Sequence, residues 1–167
     1  LSDVFGTMQI PRFGKDYNRP IGEGTDREKV LNTIGLGHYQ DTAMPGAPGN
    51  FAVAGHRVTY GKPLNQIAEL KKGDSVVVRV TDAKTKFDVW YVYKVTDSQI
   101  VTPDKIETIA PVPNKPGVEP TPQDRWLTLT ACHPTWSAAE RFVTHAKLDY
   151  WMPASEGTPK ELSETVK

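Results

Sequence analysis

The chain is poor in cysteine, in long apolar runs and in net charge, and each shortage excludes something. Cys132 is the only cysteine in 167 residues, so no intrachain disulfide and no multi-cysteine zinc or iron–sulfur site can form. Twenty Lys+Arg balance twenty Asp+Glu, which removes the general electrostatic grip on nucleic acid or acidic lipid that a basic domain has. No apolar stretch nears the roughly 20 residues that span a bilayer, and none reads as a signal peptide. The four histidines offer no HExxH spacing, and no two of them lie within four residues of each other. A metal site is not indicated, and no cofactor is expected.

What is present has the length of one domain, with enough apolar residues in strand-length blocks to argue against disorder. Fourteen Pro and thirteen Gly cluster at 18–24, 44–49 and 111–122. Short alternating or β-branched segments between Gly/Pro turns predict a mostly β domain, a sandwich or barrel. Residues 7–13 read as an edge strand, because Pro11 cannot donate to a ladder. Residues 26–34 read as a short helix capped by Thr25 or Asp26. Residues 50–55 form a buried strand, and 63–70 one or two helical turns with Leu64, Ile67 and Leu70 facing inward. Segments 75–80 and 86–95 form a hairpin, 98–101 a short strand and 103–109 a short helical piece. Two further strands cover 125–131 and 140–148. The loop 111–124 is either a semi-rigid groove wall or a surface excursion. One domain over 1–152 is expected, with a polar, frayed tail at 153–167.

Chemistry concentrates on the last two strands. Leu127, Leu129 and Ala131 alternate with Thr128, Thr130 and Cys132, and the chain is expected to turn at His133–Pro134. In the next strand Phe142, Ala146 and Leu148 are the apolar set, while Arg141, Val143 and His145 take the other face. An antiparallel pairing that aligns the apolar sets brings Cys132 and Arg141 together at the open end of the hairpin. A lone thiol is either an inert core residue or a nucleophile. A neighbouring guanidinium favours the thiolate and offers donors to a developing oxyanion. Among the histidines, His56 ends the small-residue strand FAVAG, where a catalytic side chain is readily presented. It is the candidate partner of the thiol. His38 lies in a Gly-rich loop, His133 abuts Cys132, and His145 sits in mid-strand.

The segment TLTACHPTWSAAERF (128–142) resembles the sortase signature TLxTC followed by an Arg nine residues on. The segment GNFAVAGHRVTYGKPLNQIAELKKGDSVVV (49–78) is similar to the second sortase hallmark, and HYQDTAMPGAPGNFAVAGHR looks most like class E. The resemblance covers about residues 7–150. Ala131 departs from the usual Thr of the signature; on the core side, it should alter packing and leave the catalytic groups in place. The resemblance implies a closed eight-stranded sortase β-barrel and cysteine transpeptidation. A sorting signal of LAxTG or LPxTG type on a secreted protein is cleaved between Thr and Gly. The thioacyl intermediate then passes to an amine of a lipid-linked peptidoglycan precursor or of a pilin. Carried over by motif, Cys132 is the nucleophile, His56 the general acid/base and Arg141 the oxyanion or substrate-orienting group. Tyr39 and Thr130 are the implied substrate-binding residues, although Tyr39 reads equally as a loop aromatic that covers the barrel end. The resemblance also implies an extracellular position at the cell membrane, through an N-terminal anchor outside these 167 residues. Alternatives of other kinds are a peptidase that only hydrolyses, a pilin-polymerising sortase, a non-catalytic binding barrel and a metal-dependent hydrolase.

Overall fold

The computed structural model describes residues 4–133, 140–164 and 166, and of Cys132 and His133 the backbone alone. Among these residues the strands are β1 (Val4–Gln9), β2 (Arg19–Glu23), β3 (Leu36–His38), β4 (Gly49–Gly55), β5 (Ser75–Asp82), β6 (Phe87–Val101), β7 (Arg125–His133) and β8 (Glu140–Pro153). They close into a barrel in the order β1-β2-β3-β4-β7-β8-β6-β5. The β2–β3 and β4–β7 pairs are parallel and the others antiparallel. The mostly β, closed eight-stranded architecture expected from the sequence is the one observed.

Alternation builds the interior. Met8, Ile21, Leu36, Phe51, Val53, Val76, Val78, Tyr93, Leu127, Leu129, Ala131 and Ala146 form the barrel core. Leu64, Ile67 and Leu70, from the connection after β4, join it as their spacing predicts. Ala131 is buried, on the core side of β7. Burying one such Leu or Ile side chain contributes roughly 1.5–3 kcal/mol. The outer faces of β5, β6 and β8 carry a second cluster, in which Val77, Trp90 and Val92 pack against Tyr150, Met152, Ala154 and Leu162.

Several expectations need correction. The first strand begins at Val4 and ends at Gln9, and it is not an edge. Barrel closure pairs it with β2 on one side and β5 on the other, and Pro11 opens a 3₁₀ turn beyond it. β2 and β3 were hidden in Gly/Pro-rich sequence. Glycine is required there because the backbones nearly touch: a Cβ on Gly37 would lie 2.3 Å from the carbonyl oxygen of Gly24. The expected helix at 26–34 is one wide turn, Arg27–Leu31, capped by the Asp26 carboxylate, which accepts from the Lys29 amide at 2.8 Å. The short strand at 98–101 is the end of β6.

The tail is not frayed over residues 153–162. It forms two 3₁₀ turns and buries Glu161. That carboxylate accepts from the Tyr150 hydroxyl at 2.5 Å and from the Lys94 ammonium at 3.1 Å, which satisfies a charge that burial would otherwise penalise. Polarity suggested fraying, but these are polar groups with partners.

Candidate active site

β7 carries Thr130 and Cys132 and β8 carries Arg141, while His56 follows directly on β4 and Tyr39 directly on β3. Across β7 and β8, Cys132 pairs with Arg141, Ala131 with Phe142 and Thr130 with Val143, which is the register that alignment of the apolar sets predicts. The expected turn at His133–Pro134 lies outside the described residues, as does the Cys132 side chain. β4 lies parallel to β7 on the other side, with Ala52 opposite Thr128 and Ala54 opposite Thr130. That ladder ends at the Ala54–Thr130 pair, two residues short of His56 and of Cys132. Neighbouring strands are roughly 5 Å apart, and His56 follows β4 at the same end of the barrel as the Cys132–Arg141 pair.

β4 fits beside β7 with small residues, Ala52 and Ala54, on its outer face. Every position from Gly49 to Gly55 is buried. A Cβ on Gly55 would stand 3.0 Å from the side chains of Leu36 and Leu64, leaving no room for a larger residue beside His56. Phe51 and Val53 point into the core, whereas Asn50 makes its bonds on the outer face.

His56 is half-buried just beyond β4. Its Nε2 lies 2.7 Å from Asn32 Oδ1, and its ring lies 5.3 Å from that of Tyr60. Burial pushes the imidazole below its ordinary pKa, and the positive charge of Arg27 adds to the effect. Arg57, the next residue, holds its guanidinium 5.6 Å from the centre of the Phe142 ring. Arg141 is the second residue of β8, and one of its nitrogens donates to the Glu140 carbonyl at 3.2 Å.

A cleft of about 110 Å³ opens on the outer face of these strands. Its floor is Thr130, Arg141 and Val143, its side is Tyr39, and its roof runs from Val101 to Ile109. Tyr39 and Thr130 are joined through their hydroxyl oxygens, 2.8 Å apart. Four of the five expected site residues are therefore placed by their side chains: Tyr39, Thr130 and Arg141 line one cleft, and His56 stands at the end of the strand beside it. Cys132 is placed by its backbone. A larger hollow, of about 480 Å³, lies between residues 13–19 and 61–66 and contains none of these residues. The 111–124 loop contributes no wall to the 110 Å³ cleft.

The remaining histidines have structural surroundings. His38 is in β3 instead of a loop. Its Nδ1 lies 2.8 Å from the Glu23 carboxylate, and its Nε2 lies 3.0 Å from the Ala43 carbonyl. This fixes the backbone beside Tyr39. His145 is buried in β8 and belongs to a polar chain that no sequence motif announces. The Asn50 amide donates to the carbonyls of Ala110 at 2.9 Å and Thr108 at 3.2 Å. Its Oδ1 accepts from the Thr128 hydroxyl at 2.8 Å, and that hydroxyl oxygen lies 2.8 Å from His145 Nδ1. With the hydroxyl proton committed to Asn50, His145 Nδ1–H is the donor. The chain fastens the Ile106–Ile109 turn, and so the cleft roof, to β4, β7 and β8. Asn32 also went unseen, since an Asn in a short polar turn carries no signal of its own. Among the described residues no group of three or more His, Cys, Asp or Glu is placed to hold a metal ion.

Comparison with known proteins agrees with this layout. The Sortase domain family matches residues 8–149, which is most of the chain. The chain belongs to the sortase family. Sortases are cysteine transpeptidases. Sortase SrtE1 of Streptomyces coelicolor is 36% identical over 164 residues, spanning 95% of this chain and 44% of its own length. The structure of sortase E from Streptomyces avermitilis is 41% identical with a TM-score of 0.79, covering 96% of this chain and 97% of that one. The SrtF sortase from Corynebacterium diphtheriae is 33% identical with a TM-score of 0.88, covering 98% and 94%. The likeness to class E thus holds in sequence and in fold. The chain spans between 44% and 62% of the length of the curated relatives it matches. No helix among the described residues is long and apolar enough to cross a membrane.

Proposed function

We propose that this sortase domain cleaves a sorting signal of LAxTG or LPxTG type between Thr and Gly and transfers the Thr acyl group to an amine. The observation that supports the reading is the register: Cys132 on β7 pairs with Arg141 on β8, and β4, which ends just before His56, runs parallel to β7 on its other side, next to a cleft lined by Tyr39, Thr130 and Arg141. An amide is a poor electrophile, so the chemistry needs a thiolate to attack and an acid to protonate the departing amine. The Cys132 sulfur adds to the Thr carbonyl, and Arg141 neutralises the oxyanion. The C–N bond breaks as His56 passes its proton to the leaving Gly nitrogen, giving a thioester on Cys132. An acceptor amine then attacks that thioester, His56 takes the amine's proton, and the thiolate departs.

The depressed basicity of His56 shapes the rate. Even with ordinary values, near 8.5 for a thiol and 6.5 for an imidazole, the thiolate–imidazolium pair is only about one molecule in a hundred. Burial of His56 lowers that fraction further, so turnover is slow. Tyr39 and Thr130 fill the cleft wall next to the scissile bond and select the residue after Leu in the signal, favouring Ala over Pro. The acceptor is an amine of a lipid-linked peptidoglycan precursor or of a pilin, and the domain works at the outer face of the membrane, held by an N-terminal anchor.

Mass spectrometry after incubation with an LAxTG peptide tests the reading. The expected product is an adduct on Cys132 that retains everything up to Thr and has lost the Gly and every residue beyond it. Addition of a diaminopimelate-type or glycyl amine should convert it to ligated peptide. Cys132→Ala should form no adduct, and Arg141→Ala should fold normally yet react orders of magnitude more slowly. Absence of any adduct on the wild-type thiol, or wild-type rates in Arg141→Ala, would overturn the assignment.

A further inference from the structure

Catalysis by His56 requires that one ring nitrogen hold its proton while the other trades protons with thiol and amine. Asn32 Oδ1 is a carbonyl oxygen and can only accept, so at 2.7 Å it commits the proton on His56 to Nε2. We propose that Asn32 is a positioning residue that holds the His56 imidazole as its Nε2–H tautomer and leaves Nδ1 as the working nitrogen. The inference rests on the transpeptidase reading above.

The geometry around Asn32 suits the task. It follows directly on the wide turn Arg27–Leu31, and that turn is held at both ends. Asp26 caps its start, the Asn32 amide donates to the Arg27 carbonyl at 2.8 Å, and Val30 is buried beneath it. The acceptor therefore comes from a rigid piece of backbone 24 residues away from the histidine, and Tyr60 packs against the ring it orients. Arg27 on the turn bears on the imidazole through its charge and Tyr60 through its ring, and Cys132 is the thiol it serves. Neither Arg27 nor Tyr60 is a carboxylate, so neither competes with Asn32 as an anionic acceptor for the Nε2 proton.

The experiment is nitrogen NMR of ¹⁵N-histidine-labelled protein, joined to kinetics on the LAxTG peptide. Wild-type His56, above its titration, should show a protonated Nε2 and an unprotonated Nδ1. Asn32→Asp retains an acceptor and adds negative charge. It should keep the tautomer and move the His56 titration and the acid limb of kcat/KM upward. Asn32→Leu removes the acceptor; the ring should show averaged tautomers, with kcat lowered roughly 10- to 100-fold and KM little changed. A merely structural role for Asn32 would move neither the tautomer nor the pH profile. A wild-type ring protonated on Nδ1, or an Asn32→Leu protein with unchanged tautomer and kcat, overturns the proposal. If Asn32→Leu fails to fold, the wild-type tautomer and the Asn32→Asp titration still decide it. Failure of the wild type to form a thioester at Cys132, with the expected tautomer present, would instead overturn the transpeptidase reading.

Discussion

Substituting Asn50 by Ala should separate the cleft roof from the barrel. Asn50 is 1% exposed and makes three hydrogen bonds, two as donor to Thr108 and Ala110 and one as acceptor from Thr128. Each is worth about 1 kcal/mol net, and a buried hydroxyl left without an acceptor costs a further ~1–3 kcal/mol. Thr128 is wholly buried, so that second cost applies, and the sum is about 4–6 kcal/mol. For a domain of this size 1 kcal/mol moves Tm by about 2–4 °C; the loss should therefore read as roughly 8–24 °C in a thermal melt followed by circular dichroism. Asn50→Asp should be no better, because a carboxylate would then face two carbonyl oxygens. Thr128→Val removes the hydroxyl that Asn50→Ala strands. The double variant should accordingly be less destabilised than the sum of the singles, by about 1–2 kcal/mol. The same loosening of residues 101–109 should raise KM for the peptide more than it lowers kcat. A loss below ~1 kcal/mol in Asn50→Ala, or strict additivity with Thr128→Val, would show that the polar chain does not hold the roof.

Tyr39→Phe and Thr130→Val each break the 2.8 Å bond between the two hydroxyls; both should narrow the preference for LAxTG over LPxTG peptides in competition assays, and unchanged selectivity would remove the pair from the substrate site. Burial first and Arg27 second hold the His56 imidazole below its usual pKa, so the acid limb of kcat/KM should fall below pH ~6.5. Arg27→Gln should move that limb up toward the ordinary value, by a small amount because Arg27 is exposed; a wild-type limb above 6.5 contradicts the assignment. Glu161→Ala should destabilise the fold by about 2–3 kcal/mol at neutral pH, since it strips the partner from Tyr150 and Lys94. Burial opposes ionisation of Glu161, but the Tyr150 hydroxyl and the Lys94 ammonium outweigh it and hold the carboxyl below its ordinary pKa. The contribution is thus complete above the ordinary carboxylate range and lost as pH falls through the lowered value. In urea titrations the gap between wild type and variant should close in acid.

Local pairing explains why the catalytic hairpin was legible and β2 and β3 were not. β7 and β8 are close in sequence, with only residues 134–139 between them, and each has one clearly apolar face. Sliding one strand by a single residue would send Leu127, Leu129 and Ala131 to the wrong side. That Cys132 and Arg141 share the outer face follows from that constraint, and the observed register makes them direct partners. β2 and β3 carry no such alternation. Gly22 and Gly37, and Pro20 opposite Thr7, read as turn residues, and only the fold shows why the two glycines stand in strands: the Ile34 side chain presses on Gly22 and the Gly24 carbonyl on Gly37. The tail misled for the converse reason, since a polar Glu161 becomes a buried anchor once Tyr150 and Lys94 meet it from β8 and β6.

The placement of His56 depends on a longer-range fact. β4 and β7 are separated by two strands and a long loop, yet they pair in parallel, and no periodicity in either segment specifies which residue of one faces which of the other. Small residues in β4 decide it indirectly. Ala52 and Ala54 leave the outer face open beside Thr128 and Thr130, and Asn50 closes the other end of the strand by accepting from Thr128. That bond locks Asn50 to one position along β7, two steps from where Ala52 meets Thr128. The register that brings His56 to the same end of the barrel as Cys132 is therefore set at the opposite end of the same strand pair. A change at Asn50 that allowed β4 to slip by even one residue would carry His56 some 3.3 Å along the barrel and onto the opposite side of the pleat. Structural and chemical roles thus share one strand: the buried amide at its start fixes where the imidazole beyond its end can act.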